Sequence, residues 1–239
     1  MTERDFVLQG AAGEKLSSMA YNSLREMIVY GQLRPGERLY PNDLAQRFGI
    51  SATPVKEAIT RLATEGYLVA IPRRGYNVTV PTPKRIRELW QVRLGLEVTA
   101  GELLIAGLKR GDLGAAVIAD LEHHLYRLEA EGSDEHRAHI ELNAAFHQKL
   151  VELAGNDTLT GLYVSIAQHT VGAWVQTGLT TWKERLPAEK REHEAILEAM
   201  RHLDEDRFRS AMKDHLTRSL ADALEDLSHR NPDMEGRSS

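Results

Sequence analysis

The segment from Pro41 to Val80, PNDLAQRFGISATPVKEAITRLATEGYLVAIPRRGYNVTV, constrains the fold more than any other part of this chain. Its apolar residues recur at three- and four-residue steps, which predicts a short helix followed by a longer one that begins near Ser51. Gly49 suits the left-handed residue after the first helix. Ser51 or Thr53 suits the cap of the second, with Pro54 in its first turn. Two short helices joined by a tight turn are typical of a helix-turn-helix.

The residues on either side extend this pair of helices into a winged domain. Upstream, apolar residues from Leu16 to Ile28 recur at helical spacing and predict another helix, which stops at Gly31. Downstream, YLVAIPRRGYNVTV predicts two strands joined by a turn at Pro72 to Gly75. We therefore predict a winged helix-turn-helix domain over residues 14–80, preceded by a flexible segment over residues 1–13.

The charge of the chain is distributed unevenly. The net charge is -5, yet residues 34–80 carry seven basic side chains against four acidic ones, a local balance of +3. This asymmetry favours an amino-terminal domain that approaches DNA phosphate. The helix that begins near Ser51 would lie in the major groove, and the wing would contact the neighbouring backbone or minor groove. The predicted DNA-contacting residues are Arg34, Arg38, Ser51, Thr53, Lys56, Arg61, Arg73, Arg74 and Gly75. The alternatives are ordinary solvated charges and a winged helix that binds protein.

The same residues resemble a known family. GQLRPGERLYPNDLAQRFGISATPVKEAITRLATEGYLVAIPRRGYNVTV is similar to the DNA-binding domain of the GntR transcription regulators. That domain reads close to G-x-L-x-P-G-x-x-L, then L-A, S-R-T-P-V-R-E-A-L and L-x-x-E-G before a basic wing. The resemblance implies that operator DNA is a partner. Ala52 and Lys56 replace arginines that are taken to contact the operator in the family, so we expect an altered base preference.

Beyond Pro81 the pattern changes to long helices. Residues 81–229 show no strand-like alternation, and helical periodicity predicts helices at roughly 83–109, 112–131, 134–154, 158–177, 188–203 and 205–229. The helix lengths and short connections predict an antiparallel all-α bundle. Residues 230–239 are predicted to form a disordered tail. The fold class is therefore mainly α, with a small β-wing in the amino-terminal domain.

Histidines mark the candidate chemistry of the bundle. Asn143 and His147 are four residues apart and share a helix face, while His193 and His215 lie beside the apolar faces of two other helices. The chain has no cysteine, and three imidazoles with one oxygen donor suit zinc, nickel or a similar divalent ion. The alternative is three hydrogen-bonded core histidines, because ten histidines in the chain make chance spacings easy.

These helices also resemble a family domain. LWQVRLGLEVTAGELLIAG, NAAFHQKLVELAGN and EHEAILEAMRHLDEDRFRSAMKDHL are similar to the FCD effector domain of the FadR subfamily, which follows a GntR winged helix. The resemblance implies a metal-ligand set of Asn143, His147, His193 and His215. An asparagine replaces the aspartate of the common version, so we expect weaker metal binding. His139, one turn before Asn143, is a lesser alternative donor.

The resemblance further implies an effector cavity. It places Arg93 towards that cavity, where a guanidinium suits capture of a small organic acid. The alternative for Arg93 is an ion pair with Glu97, four residues later on the same helix. Helix phase alone places His169 in the cavity.

Together these features predict a ligand-responsive transcription regulator rather than an enzyme. We expect a homodimer that represses until its ligand binds, because paired half-sites suit two recognition helices. The amino terminus lacks an apolar core of signal-peptide length, and no apolar run spans a bilayer, so we expect a cytoplasmic protein without a membrane partner. One alternative is a metal-sensing regulator without an organic effector. Another is a metal-dependent hydrolase, against which the chain has no H-E-x-x-H pattern.

Overall fold

A computed structural model of the protein describes residue 8 and residues 14–132, 135–177 and 182–230, apart from the side chains of residues 168, 170–177 and 230. The chain divides into two compact units between Pro81 and Thr82. The flexible amino terminus and disordered tail predicted from the sequence fall almost wholly outside the described residues.

The amino-terminal unit combines helices with a small sheet. Its elements are α1 (Leu16–Val29), β1 (Arg38–Leu39), α2 (Pro41–Phe48), α3 (Ala52–Thr64), β2 (Leu68–Ile71) and β3 (Gly75–Val78). Helix α1 packs against α3, and α2 packs against α3 as well. Helix α2 ends where expected, because Gly49 takes a φ of 67° and closes it in the left-handed conformation.

Helix α3 begins as the sequence predicts, although its cap differs. Ser51 is the extended residue before the helix, but its side chain makes no capping hydrogen bond. Thr53 lies inside the helix, so neither residue caps it through its side chain. Its apolar face is buried at Val55, Ala58, Ile59 and Leu62. Ala63 is only half-buried at the edge of that face.

The sheet has one more strand than the sequence predicts. Strand β3 lies in the centre and pairs antiparallel with β2 on one side and β1 on the other. The two-residue β1 is too short to show an alternating pattern, which explains why the sequence did not reveal it. Gly75 opens β3 with a φ of +85°, and a Cβ there would lie 2.6 Å from the carbonyl oxygen of Leu39. A side chain at this position would therefore push β1 away.

The carboxy-terminal unit is helical throughout its described residues. Its elements are α4 (Pro83–Arg110), α5 (Ala116–Glu131), α6 (His136–Leu153), α7 (Asp157–Thr177), α8 (Trp182–Arg201) and α9 (Glu205–Arg230). Two predicted starts were wrong. Helix α5 begins at Ala116 rather than at 112, after the turn that contains Gly114. Helix α8 begins at Trp182 rather than at 188, because Pro187 is accommodated inside the helix.

Helix α4 organises this unit. The hydroxyl of Thr82 caps this helix by accepting a hydrogen bond from the backbone N–H of Arg85, and Pro83 takes the first helical position. The helix then packs against α6, α7 and α9, while α8 packs against α5 and α9. Among the described residues, no helix is both long and apolar enough to cross a bilayer.

The contact between α4 and α9 requires a glycine. The fully buried ring of Phe208 on α9 lies where a side chain of Gly101 would project, and a Cβ at Gly101 would come within 2.0 Å of that ring. Because Gly101 has no side chain, α4 and α9 approach each other closely, and their inward-facing side chains lie near one another.

We therefore expect Gly101→Ala to destabilise the protein by about 1–3 kcal/mol, because the added methyl overpacks the contact with Phe208. Chemical denaturation measures this change. The matched control is Gly95→Ala on the same helix, where a Cβ meets nothing within 4 Å. It should stabilise the protein by about 0.5–1 kcal/mol through helix propensity. Equal stability of the two variants would contradict the packing argument.

Candidate functional site

The predicted DNA-contacting side chains lie on the surface of the amino-terminal unit. Ser51 and Thr53 lie at the start of α3, and Lys56 follows one turn later on the exposed side of that helix. The helix therefore presents its polar first turns to solvent while its apolar face is buried against the domain. This is the arrangement that a helix needs to reach base edges in a major groove.

The wing supplies a second cationic region. Arg73 and Arg74 are exposed in the turn between β2 and β3, with Arg73 at a φ of 62°. The backbone N–H of Arg74 donates to the carbonyl of Ile71 and fixes the turn. Exposed Arg38 lies on β1, across from Asn77 of the wing. Exposed Arg34 lies in the preceding turn, where its backbone N–H donates to Glu37.

Arg61 is in a different situation from the other cations. Its Nε donates to Glu65 at 3.0 Å, and its guanidinium carbon lies 3.8 Å from the centre of the Tyr21 ring. The Tyr21 hydroxyl donates to the same Glu65 carboxylate at 2.6 Å. Arg61 thus links α3 to α1 within the domain. A DNA contact by Arg61 stays a prediction, and it would compete with these interactions.

In the helical unit, the structure brings together the three histidines singled out from the sequence. His147 of α6, His193 of α8 and His215 of α9 are all buried, and one ring nitrogen from each lies within 4.8 Å of the others. The Nε2 atom of His147 lies 3.3 Å from Nε2 of His193 and 3.1 Å from Nε2 of His215. Three Nε2 atoms from three helices therefore converge on one point.

Two carboxylates orient this cluster through the Nδ1 atoms of two of its rings. The Nδ1 of His147 donates to Glu97 of α4 at 2.7 Å, and the Nδ1 of His215 donates to Glu192 of α8 at 2.9 Å. A carboxylate that has lost its proton only accepts hydrogen bonds, so both rings carry their proton on Nδ1. In the neutral ring each Nε2 then presents a lone pair to the cluster.

Burial and neighbouring charges together set the protonation of His147, His193 and Glu97. Burial is the largest influence on His147 and, with help from Arg93 and His215, outweighs Glu97 and lowers the pKa of the ring to about 4. Burial also lowers the pKa of His193 well below its usual value, with the other two rings adding to the effect. Burial would raise the pKa of Glu97, yet Arg93 and His147 overcome it and lower that pKa to about 2. Near neutral pH, His147 and His193 are therefore neutral and Glu97 is ionised.

This arrangement leaves a specific electrostatic conflict. Nε2 of His147 and Nε2 of His215 lie 3.1 Å apart, so in the neutral rings two lone pairs face each other, and a proton on His193 can pair with only one of them. A shared cation removes the conflict. Nitrogen ligands at the usual zinc distance and tetrahedral angle lie about 3.3 Å apart, which the observed spacings match closely. The residues present therefore fit a divalent metal.

Asn143 adds an oxygen to the same region of α6. It lies one turn before His147, and its Oδ1 is buried without a hydrogen-bond partner among the described residues. An amide oxygen is an acceptable metal donor, although a weaker one than a carboxylate. His139, the alternative donor, instead places its Nε2 3.2 Å from Glu189 of α8. The described geometry therefore does not group His139 with the three converging nitrogens.

The two predicted effector contacts are placed differently. Arg93 is buried and its guanidinium donates to Glu97, which is the ion pair that the sequence offered as the alternative. The Tyr163 hydroxyl of α7 interacts with the same pair, and burial raises the pKa of that phenol above its usual range. His169 lies half-buried on α7. A role for either residue in effector binding stays a prediction.

Sequence reasoning missed the carboxylates that orient the histidines. Glu97 was considered only as a partner for Arg93, yet it also accepts from His147, fifty residues away in the chain. Glu192 precedes His193 directly but orients His215 instead. The signal in the sequence that could have indicated these roles was a charged residue on an otherwise apolar helix face. Its partner on another helix depends on packing that the sequence pattern does not specify.

Comparisons with known proteins agree with both halves of this description. Residues 16–78 match the family described as bacterial regulatory proteins, gntR family, and residues 88–218 match the FCD domain. The uncharacterised HTH-type transcriptional regulator YdhC of Bacillus subtilis (strain 168) is 32% identical over 213 residues, which cover 87% of this chain and 89% of YdhC. The Nta operon transcriptional regulator of Aminobacter aminovorans is 33% identical over 75% of this chain and 81% of its own.

Solved structures show the same architecture. Escherichia coli McbR/YncC aligns with a TM-score of 0.72 at 21% identity, over 89% of this chain and 98% of that one. A putative GntR regulator from Rhodococcus sp. RHA1 aligns with a TM-score of 0.70 at 20% identity, over 87% of this chain and 97% of that one. These two likenesses concern the fold.

The protein is a DNA-binding transcriptional regulator. More specifically, the chain belongs to the GntR family and carries an FCD domain behind its winged helix-turn-helix. The mainly α fold class predicted from the sequence is confirmed, and the FCD architecture fits the expected FadR-like subfamily.

We expect Lys56→Ala and Arg73→Ala each to weaken operator binding. Each should also reduce the slope of log affinity against log salt by about one, because each would remove one predicted phosphate contact. Binding measured over a range of salt concentrations checks both variants. Lys109→Ala is the control, since Lys109 lies in the helical unit and pairs with Glu205. Unchanged slopes for both test variants would contradict the proposed docking surface.

Proposed function

We propose that this regulator responds to a small organic acid through a divalent metal held in its helical domain. The observation that carries the proposal is the pair of Nε2 lone pairs of His147 and His215, which face each other at 3.1 Å in a buried site. Such an arrangement is unfavourable for an ordinary histidine core and favourable for metal coordination.

His147, His193 and His215 would hold the ion, with the Asn143 oxygen as the fourth protein donor. Zinc or nickel suits this set of neutral nitrogens, and the single amide oxygen supplies no negative charge. When bound, the metal supplies a positive centre with an open position for a carboxylate. Glu97 and Glu192 would fix the two outer rings and increase their basicity as ligands.

A cavity beside the cluster supports the effector part of the proposal. It measures about 320 Å³, and His193 contributes to its wall. A volume of this size suits a small molecule. The guanidinium of Arg93 is already engaged by Glu97 and is buried. We therefore propose the metal, rather than Arg93, as the partner of the effector carboxylate.

The regulatory mechanism would act through the helices that carry the ligands. The cluster joins α6, α8 and α9, and Glu97 adds α4, so a ligand that moves any of these side chains biases the packing of the whole bundle. In a homodimer bound to paired half-sites, such a bias changes how the two recognition helices fit successive major grooves. A coupling of about 1–3 kcal/mol suffices for a useful response. We propose repression in the cytoplasm that the acid relieves.

Two alternatives make different predictions. A metal-sensing regulator would respond to zinc or nickel alone, without an organic acid. A metal-dependent hydrolase would turn over an ester or amide, but the carboxylates that contact the ligand histidines, Glu97 and Glu192, are occupied as their hydrogen-bond acceptors. Neither is then free as a general base. The relatives named above are transcriptional regulators, which also favours regulation over catalysis.

Metal content tests the first part of the proposal. Protein purified without chelator should contain about one divalent ion per chain, and His193→Ala should lose most of it because one of three imidazoles is removed. His202→Gln is the control, since His202 is exposed in the turn after α8 and its Nε2 lies 3.7 Å from Glu198. Elemental analysis measures both variants. A wild-type protein that holds no metal and takes up none on titration contradicts the metal site.

A thermal-shift screen of small carboxylates, run with and without EDTA, tests the effector. The matching acid should raise the melting temperature of the metal-loaded protein, and the increase should shrink in EDTA. The same acid should release operator DNA. Acids that stabilise the protein equally in EDTA would contradict coordination through the metal, and release by metal alone would favour the metal sensor.

A further inference from the structure

The cavity beside the histidine cluster has two chemically distinct parts. Helices α5, α6 and α8 line it, and an apolar wall is formed by Leu125, Leu128, Leu186 and Pro187. Its other lining residues are polar. Glu129 and Lys190 form an ion pair at 2.6 Å and so neutralise each other. The remaining polar residues are His139, Glu189 and His193, and they are buried.

Each of these three buried residues keeps one polar atom without a hydrogen bond. Among the described residues, Nδ1 of His139, Oε1 of Glu189 and Nδ1 of His193 have no partner. Glu189 and His193 are one helical turn apart on α8, and His139 contacts Glu189 directly. The three residues that carry these atoms therefore form one small region of the cavity wall. A buried polar atom without a partner is costly, so this region is suited to a ligand that supplies the missing hydrogen bonds.

The hydrogen bonds that each residue already makes determine whether its unpaired atom is a donor or an acceptor. His139 donates from Nε2 to Oε2 of Glu189, so its Nδ1 is an acceptor in the neutral ring. Oε1 of Glu189 is a second acceptor. Burial would raise the pKa of Glu189, but the hydrogen bond from His139 and the charge of the nearby Arg218 lower it, which keeps this carboxyl ionised. With the proposed metal bound at Nε2 of His193, its Nδ1 carries the proton and donates.

We infer that Glu189 and His139 recognise a hydrogen-bond donor, a hydroxyl or amino group, on the short apolar body of the effector. This inference rests on the proposed effector site and adds the chemistry of a second recognition point. A hydroxyl satisfies the region well, because it donates to Oε1 of Glu189 and accepts from Nδ1–H of His193. An amino group satisfies both acceptors and matches the negative charge of Glu189.

The same region excludes a second acid group. A carboxylate near Oε1 of Glu189 would bring two negative charges together in a buried site. The effector carboxylate therefore points to the metal, and its donor group points to Glu189. A plain fatty acid of the same length leaves both acceptors unpaired. Sites built to bind a hydroxyl or amine discriminate strongly against analogues that lack it.

Matched sets of short straight-chain carboxylic acids test the inference on the full-length, zinc-loaded protein. Each set contains an unsubstituted acid, its hydroxylated forms and its aminated forms, and calorimetry measures their affinities. In at least one set, a substituted acid should bind about tenfold or more tighter than the unsubstituted one. Comparison of the hydroxylated with the aminated acids shows which of the two groups supplies the hydrogen-bond donor.

Glu189→Gln then assigns the preference to this residue. The variant replaces an acceptor oxygen with an amide and removes the charge, so the preference for the donor-bearing acid should fall to within about threefold. Glu122→Gln on α5 is the matched control, because Glu122 pairs with Arg201 and does not line the cavity. That variant should keep the preference of the wild-type protein.

Several outcomes would overturn the inference. Unsubstituted acids that bind as tightly as their substituted partners in every set contradict it without any variant. A preference that survives Glu189→Gln assigns the recognition elsewhere, and binding of no member of any set also contradicts it. Metal content and operator binding, measured on the same samples, show separately whether the proposed function fails. A protein that holds zinc and releases operator with a plain acid keeps the proposed function and loses this inference.

Discussion

Glu97 accepts hydrogen bonds from Arg93 and His147 at the same time, in a site where none of the three side chains is exposed by more than 5%. Arg93 offsets the cost of burying the Glu97 carboxylate, because an unpaired charge there would be strongly destabilising. The ionised carboxylate in turn fixes the proton of His147 on Nδ1 and leaves Nε2 as a lone pair. The tautomer of the central histidine, and therefore the chemistry of the cluster, depends on this interaction.

A similar arrangement orients His215 on the opposite side of the cluster. Glu192 accepts from His215 and also from Arg218. Each of the two oriented histidines is thus backed by a carboxylate that an arginine holds in place. The two arrangements differ in exposure, because Arg93 is buried while Arg218 is about a quarter exposed. A disturbance at the cluster therefore reaches the buried α4 through Glu97 and the surface of α9 through Arg218. This explains physically how one small site can influence the packing of several helices.

The sequence predicted much of this arrangement, but it did not predict the parts that depend on packing between distant residues. Periodicity located the helices and the wing, since apolar spacing directly reflects which face is buried. It also singled out His147, His193 and His215, because each lies at or beside an apolar face. It did not reveal β1, which is too short for a pattern, or the interior position of Pro187 in α8. The roles of Glu97 and Glu192 were missed because their partners lie on other helices. The unpaired atoms of His139 and Glu189 follow from the same long-range packing.

X-ray absorption at the edge of the bound metal is the decisive test of the proposed site, because it counts the ligands that surround the ion. We predict three imidazole nitrogens at about 2.0–2.1 Å for zinc, with the remaining positions filled by oxygen. A spectrum with at most one imidazole, or with oxygen ligands alone, would show that the convergence of His147, His193 and His215 serves some purpose other than metal binding.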